Sequence, residues 1–155
     1  MTLNLGKLDP SITVLMADDD PDDRRLAIDA FRAAQLSNPL HFVEDGAALL
    51  DYLNRRDRYT DTAHPLPGLI LLDLNMPRVD GREALQEIKS DPLLRHIPII
   101  VLTTSAAEED IARSYRAGCN SFIQKPVSFS AFVEIVSTLG RYWFSVVDLP
   151  EGSSQ

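Results

Sequence analysis

Two short segments, Leu69-Ile70-Leu71-Leu72 and Ile99-Ile100-Val101-Leu102, contain no polar side chain. A strand with one face in water alternates apolar and polar residues. One that is apolar at every position has both faces covered, as in a parallel sheet lying between two layers of helices. Three further apolar runs accompany them: Ile12-Thr13-Val14-Leu15-Met16, Leu40-His41-Phe42-Val43 and Ser121-Phe122-Ile123. Between the runs the apolar residues switch to helical spacing. Leu26, Ile28, Phe31 and Ala34 mark one helix, Ala48, Leu49, Tyr52 and Leu53 the next, and Ala84, Leu85 and Ile88 a third. Ile111 and Tyr115, then Phe132, Ile135, Val136 and Leu139, complete the set. Strand and helix thus alternate along the chain, which predicts an α/β fold: right-handed crossovers return each helix onto a parallel sheet.

Start and stop signals agree with this division. Asp20-Pro21-Asp22-Asp23 supplies a cap, a proline at the first helical position and acidic first-turn residues. Ser105-Ala106-Ala107-Glu108 reads as a capping box, and Gly118 stands where a helix should end. One connection is long, Arg55 to Gly68, and is expected to be either a contact surface or a tolerated surface insertion. With 155 residues, 45% of them hydrophobic, the chain suits one domain with short tails: 1–11, a body at 12–141, and an extension at 142–155.

Composition narrows the partners. Fifteen basic against 23 acidic residues leave a net charge of -8, a repulsive field toward any polyphosphate. Direct binding to nucleic acid or to an anionic membrane is therefore not expected. Cys119 is the single cysteine, so neither an internal disulfide nor a cysteine-rich zinc cluster can form. No apolar run approaches the ~18 residues of a membrane span, and a cytoplasmic location is expected.

Chemistry in an open parallel sheet is expected at the carboxyl ends of the strands. Asp18, Asp19 and Asp20 follow the first run, Asp73 the third, Thr103 and Thr104 the fourth, and Lys125 the fifth. Carboxylates brought together there repel one another, so the cluster asks for a hard divalent cation. Mg2+ fits, because it takes oxygen ligands and is commonly bound by one or two carboxylates together with phosphate oxygens. Asp73 can then attack phosphorus as a nucleophile, Lys125 can pair with the transferred group, and the Thr103 hydroxyl can donate to one of its oxygens. Asp20 is assigned to helix capping instead.

The segments Val14-Leu15-Met16-Ala17-Asp18-Asp19-Asp20-Pro21, Leu71-Leu72-Asp73-Leu74-Asn75-Met76-Pro77-Arg78-Val79-Asp80-Gly81, Val101-Leu102-Thr103-Thr104-Ser105 and Phe122-Ile123-Gln124-Lys125-Pro126 resemble the receiver domains of two-component response regulators. The resemblance spans roughly Ile12 to Arg141. It implies a flavodoxin-like (CheY-like) doubly wound sheet of five parallel strands in the order 2-1-3-4-5, with helices on both faces. It also implies a switch that takes a phosphoryl group on Asp73 from a histidine kinase. Asp19, Asp73 and the Asn75 backbone carbonyl would contact Mg2+ directly and Asp18 through water. Thr103 and Phe122 would form the two-state element, and Asn75 and Ser105 would tune dephosphorylation. A cis Lys125-Pro126 bond belongs to the same pattern.

The long loop and the tail Leu139-Gly140-Arg141-Tyr142-Trp143-Phe144-Ser145-Val146-Val147-Asp148-Leu149-Pro150 resemble the stand-alone receivers that partner phytochromes. That likeness implies a bacteriophytochrome kinase upstream, a separate downstream protein, and a homodimer built on the last helix, the fifth strand and the tail.

Two rival readings remain at this level. A Mg2+-dependent phosphohydrolase with an aspartyl nucleophile would turn over many equivalents of a phosphate ester, whereas a receiver traps one and releases it slowly. A receiver-like binding module that is never phosphorylated would lack part of the acidic pocket, and none is missing here. A calcium loop over Asp18-x-Asp20-x-Asp22 fails because Asp23 stands where its sharp turn needs glycine.

Overall fold

The computed structural model describes residues 12–56, 59–60, 66–74, 76, 81–103, 111–112, 115–116, 118–119, 121–124 and 128–141. Strands β1 (Val14–Ala17), β2 (Leu40–Val43), β3 (Leu69–Leu72), β4 (Ile99–Thr103) and β5 (Ser121–Gln124) form one sheet in the order β2-β1-β3-β4-β5. Every neighbouring pair is parallel. Helices α1 (Pro21–Ala33), α2 (Gly46–Asn54), α3 (Gly81–Ser90) and α4 (Phe129–Arg141) alternate with them. Ile111, Ala112, Tyr115 and Arg116 are also helical, between β4 and β5. This is the flavodoxin-like order that the motifs imply. No described helix is long and apolar enough to cross a membrane.

Alternate strand residues feed two separate cores. Leu15, Ala17, Ile70, Leu72, Ile99 and Val101 pack on one face with α2 and α3, while Val14, Met16, Leu69, Leu71, Ile100 and Leu102 pack on the other with α1 and α4. The uniform apolarity of β3 and β4 is therefore a strand period of two with both phases buried. Each fully buried aliphatic side chain contributes about 1.5–3 kcal/mol to the fold by leaving water. β2 and β3 coincide with their apolar runs and β4 and β5 extend one residue past theirs, while β1 is shifted later. β1 begins at Val14, where its partners Leu40 and Leu69 begin, and reaches Ala17. Ile12 lies outside the ladder but is buried, against Gly68.

The apolar face of α1 differs from the one expected from spacing. Ala27, Ala30 and Phe31 are buried, whereas Ile28 is 39% exposed and lines a groove with Leu36 and Leu40. At 3.6 residues per turn, Ile28 points to the side of the face formed by Ala27, Ala30 and Phe31 and so falls at its rim. Two helix ends also escaped the sequence. α1 and α2 each stop with a non-glycine residue in the left-handed region, Gln35 at φ 62° and Arg55 at φ 56°. The following amides, Leu36 and Arg56, donate back to the carbonyls of Phe31 and Asp51 at 2.9 and 2.8 Å. That pattern is normally signalled by glycine.

The connection after α2 is anchored rather than wholly superficial. Tyr59 is 9% exposed and packs on Tyr52 with ring centroids 5.1 Å apart; Leu66 joins the same core. The Tyr52 hydroxyl shares a hydrogen bond of 2.8 Å with Nδ1 of His41 on the edge strand β2. Across the molecule, Lys89 at the end of α3 donates to the carbonyls of Arg95 and Ile97, both at 2.8 Å, and so ties the helix to the entry of β4. Burial pushes the Lys89 ammonium below the usual lysine range, an effect that Cys119 opposes.

Burial also pushes the Tyr52 hydroxyl up to about 12, with Arg55 opposing the shift and Tyr59 adding to it. Because the folded state holds this proton more tightly than the unfolded chain, the stabilisation is complete below the ordinary tyrosine range and is lost as pH rises toward 12. In an ultraviolet pH titration of the four tyrosines, one is expected to ionise late, and Tyr52→Phe removes that late phase. Uniform ionisation of all four near pH 10 in the folded protein would contradict the burial argument.

Candidate functional site

β1 and β3 end in register, Ala17 beside Leu72, and the next residue in each is an aspartate. The ladder continues one step past both strands. The Asp73 N–H donates to the Ala17 carbonyl at 3.0 Å, and the Asp18 N–H donates to the Val43 carbonyl at 3.0 Å. Asp18 is fully buried, Asp73 is 6% exposed and Asp19 faces solvent. Ligand oxygens of all three lie within 4.8 Å of one another, and among the described residues this is the group of acidic, histidine or cysteine side chains that can share a metal ion.

The chain then bends sharply into α1. The Asp20 N–H donates to Asp18 Oδ1 at 3.0 Å, and the Asp22 N–H donates to Asp20 Oδ1 at 2.9 Å. Asp20 is therefore the helix cap that the sequence indicates, followed by Pro21 and an acidic first turn. Arg24, one turn into the helix, reaches back so that Nη1 donates to the Asp18 carbonyl at 2.8 Å.

On the other side, α3 begins against the Asp73 backbone. The Gly81 N–H donates to the Leu74 carbonyl at 3.0 Å. A Cβ at Gly81 would collide with the Asp73 carbonyl and lie 2.7 Å from the Leu74 Cα. Glycine at 81 is thus a condition of the approach between the helix and the strand end that carries Asp73.

Three carboxylates this close repel by ~3 kcal/mol per charge pair at an effective dielectric of about 20. All-oxygen donors of this kind fit a hard cation such as Mg2+ and offer nothing to a soft thiophilic metal. Of the other residues singled out from the sequence, Thr103 closes β4, two positions beyond the Val101 partner of Leu72, and its backbone pairs with Gln124. Phe122 sits in β5 with Val101 as its register partner. β4 neighbours β3, the strand that leads to Asp73, and β5 lies one strand further out. Asn75, Thr104, Ser105 and Lys125, the Lys125-Pro126 bond, the Ser105–Glu108 capping box and the tail from Tyr142 onward lie outside the described residues. Arg24 and Gly81 carry no role in the sequence reading. A cation four positions past a helix cap is common, and the backbone that crowds Gly81 is known only once the chain is folded.

Fold and carboxylates together define a doubly wound α/β protein with an acidic crevice at its strand ends. The response regulator receiver domain pattern matches residues 14–137. Response regulator Rcp1 of Synechocystis sp. (strain PCC 6803) is 36% identical over 141 residues, 91% of this chain and 95% of its own. The solved structure of the phosphorylated cyanobacterial phytochrome response regulator RcpA superposes with a TM-score of 0.83 at 38% identity, covering 90% of this chain and 99% of that one. Response regulator RPA3017, described in red light signalling of R. palustris, gives a TM-score of 0.85 at 37% identity over 90% and 98%. The chain belongs to the response regulator receiver family, a family of signalling switches, and is related within it to phytochrome-associated regulators.

Two substitutions test the geometry. Gly81→Ala is expected to destabilise the protein by about 1–3 kcal/mol in urea unfolding and to weaken Mg2+ binding, because the added methyl displaces the Asp73 backbone. Asp20→Ala is expected to cost about 1 kcal/mol through the lost cap, with Mg2+ affinity by calorimetry preserved.

Proposed function

We propose that this chain is a phosphoryl-accepting switch in which Asp73 carries the phosphoryl group. The observation that carries this reading is the meeting of Asp18, Asp19 and Asp73 oxygens within 4.8 Å at the crevice where β1 and β3 end. In the transfer, an Asp73 oxygen bonds to phosphorus as the bond from phosphorus to the donor histidine nitrogen breaks, and that electron pair returns to the imidazole. Asp19, Asp73 and the Asn75 backbone carbonyl would hold Mg2+, with Asp18 acting through water, and the bound ion would supply charge neutralisation at the phosphoryl group. Lys125 pairs with the phosphoryl oxygens, and the Thr103 hydroxyl donates to one of them. Asn75 and Ser105 set how long the phosphoryl group persists.

The output is a change of protein surface. A phosphoryl group adds about -1.5 to -2 charge and new acceptor oxygens. To invert a 1:99 population it must favour the active form by about 5.5 kcal/mol. Thr103 and Phe122 lie on adjacent strands of the described sheet and are the two-state element that carries this bias.

Residues 12–141 form the receiver, with 1–11 and 142–155 as extensions, and the protein works in the cytoplasm. The input is a sensor histidine kinase, and the phytochrome-associated relatives favour a bacteriophytochrome. The output passes to a separate protein. Two copies pair through α4, β5 and the aromatic tail at Tyr142, Trp143 and Phe144.

Incubation with Mg2+ and acetyl phosphate is expected to give one phosphoryl adduct by intact mass, labile to hydroxylamine and absent in Asp73→Asn. Equal labelling of the variant would sink the assignment, and release of many equivalents of phosphate would favour the hydrolase instead. Phosphotransfer profiling against the host's histidine kinases, with and without red light, identifies the donor.

A further inference from the structure

Arg24 lies one turn into α1, and helix side chains lean toward the N-terminus, so a long residue at this depth reaches the loop that precedes the helix. Its Nη1 donates to the main-chain carbonyl of Asp18 at 2.8 Å in a partly buried setting. Its own N–H donates to the Asp20 carbonyl at 3.1 Å, while the Asp20 N–H donates to Asp18 Oδ1 at 3.0 Å. Arg24 therefore grips the Asp18–Asp20 bend at both ends, once by main chain and once by side chain.

The three carboxylates are not held alike. Asp18 and Asp73 extend the strand ladder by their own amides. Asp19 is exposed and sits at the apex of the bend, so its carboxylate is placed by whatever keeps the bend closed.

We propose that Arg24 is a positioning residue for the divalent cation: by holding the Asp18 carbonyl, its guanidinium keeps the Asp19 carboxylate gathered with Asp18 and Asp73. The proposal rests on the phosphoryl-switch reading of this site. Two effects of opposite sign meet here. As a positive charge beside a cation site, Arg24 repels the ion, but its group is partly solvated and salt screens that repulsion. As a charged donor to a partly buried carbonyl, it makes a bond whose loss corresponds to about tenfold or more in an equilibrium constant. Positioning thus predicts that removing Arg24 weakens Mg2+ binding, whereas a mere neighbouring charge predicts that it tightens.

The test compares wild type, Arg24→Ala and Arg24→Lys by calorimetric titration with Mg2+ after chelator treatment, by amide exchange in the metal-free proteins, and by acetyl phosphate labelling across Mg2+ concentrations. Arg24→Ala is expected to bind Mg2+ about tenfold more weakly. It should exchange the Asp20 amide faster while the amides of Ala27 and Ala30 stay protected, and it should reach the wild-type labelling plateau only at higher Mg2+. Arg24→Lys, which keeps the charge and one donor group but loses the planar fork, is expected to fall between the two. Mg2+ affinity equal to or tighter than wild type in Arg24→Ala overturns the proposal. If that variant does not fold, Arg24→Lys decides it, with weaker binding supporting the proposal and wild-type binding overturning it. Failure of the wild-type protein to bind Mg2+ or to label at Asp73 would instead sink the switch reading itself.

Discussion

Two backbone hydrogen bonds beyond the ends of the strands, Asp18 N–H to Val43 and Asp73 N–H to Ala17, hold two acidic side chains where electrostatics alone would drive them apart. Neither bond is replaceable by a side-chain contact, since both belong to the ladder that also sets the sheet order. The repulsion they contain is opposed by the burial of β1 and β3, whose residues are almost fully removed from water on both faces. The core therefore does more than stabilise the fold: it supplies the rigidity that keeps a like-charge cluster assembled.

Rigidity is unevenly distributed around that cluster. Asp73 directly follows a buried strand, and α3 is pressed against its backbone at Gly81. Asp18 continues the ladder and is tied again through its carbonyl and its carboxylate, while Asp19 stands exposed on the bend. The acidic cluster thus joins two carboxylates held at strand ends with one that is exposed to solvent. Beside β3 lies β4, which ends in Thr103, and beyond it β5, which carries Phe122; the chain belongs to the receiver family, a family of signalling switches.

Much of this was legible beforehand because the relevant signals are local. Uniform apolarity in β3 and β4 reports burial on both faces, and Asp20-Pro21 reports a helix start. The signals failed where the outcome depends on how closely elements approach. Ile28 has helical spacing with Phe31 of α1, yet it lies at the rim of the face that Ala27, Ala30 and Phe31 bury. Gln35 and Arg55 end helices in a conformation that glycine would advertise. Tyr59 looked like part of a surface loop, and its burial against Tyr52 depends on where α2 lies.

By itself the sequence determined the alternation of strand and helix, the acidic residue that follows each of two strands, and the separation of Asp20 the cap from Asp18 and Asp19, which join the acidic cluster. Those features are written in residue type and in spacing along a single element. The tertiary structure decided which residues meet: the register that sets Ala17 beside Leu72, the approach of α3 that only glycine at 81 permits, and the backward reach of Arg24 to the Asp18 carbonyl. Each of these depends on distances of a few ångströms between parts of the chain far apart in sequence or turned back on themselves, and such distances exist only after the sheet has closed.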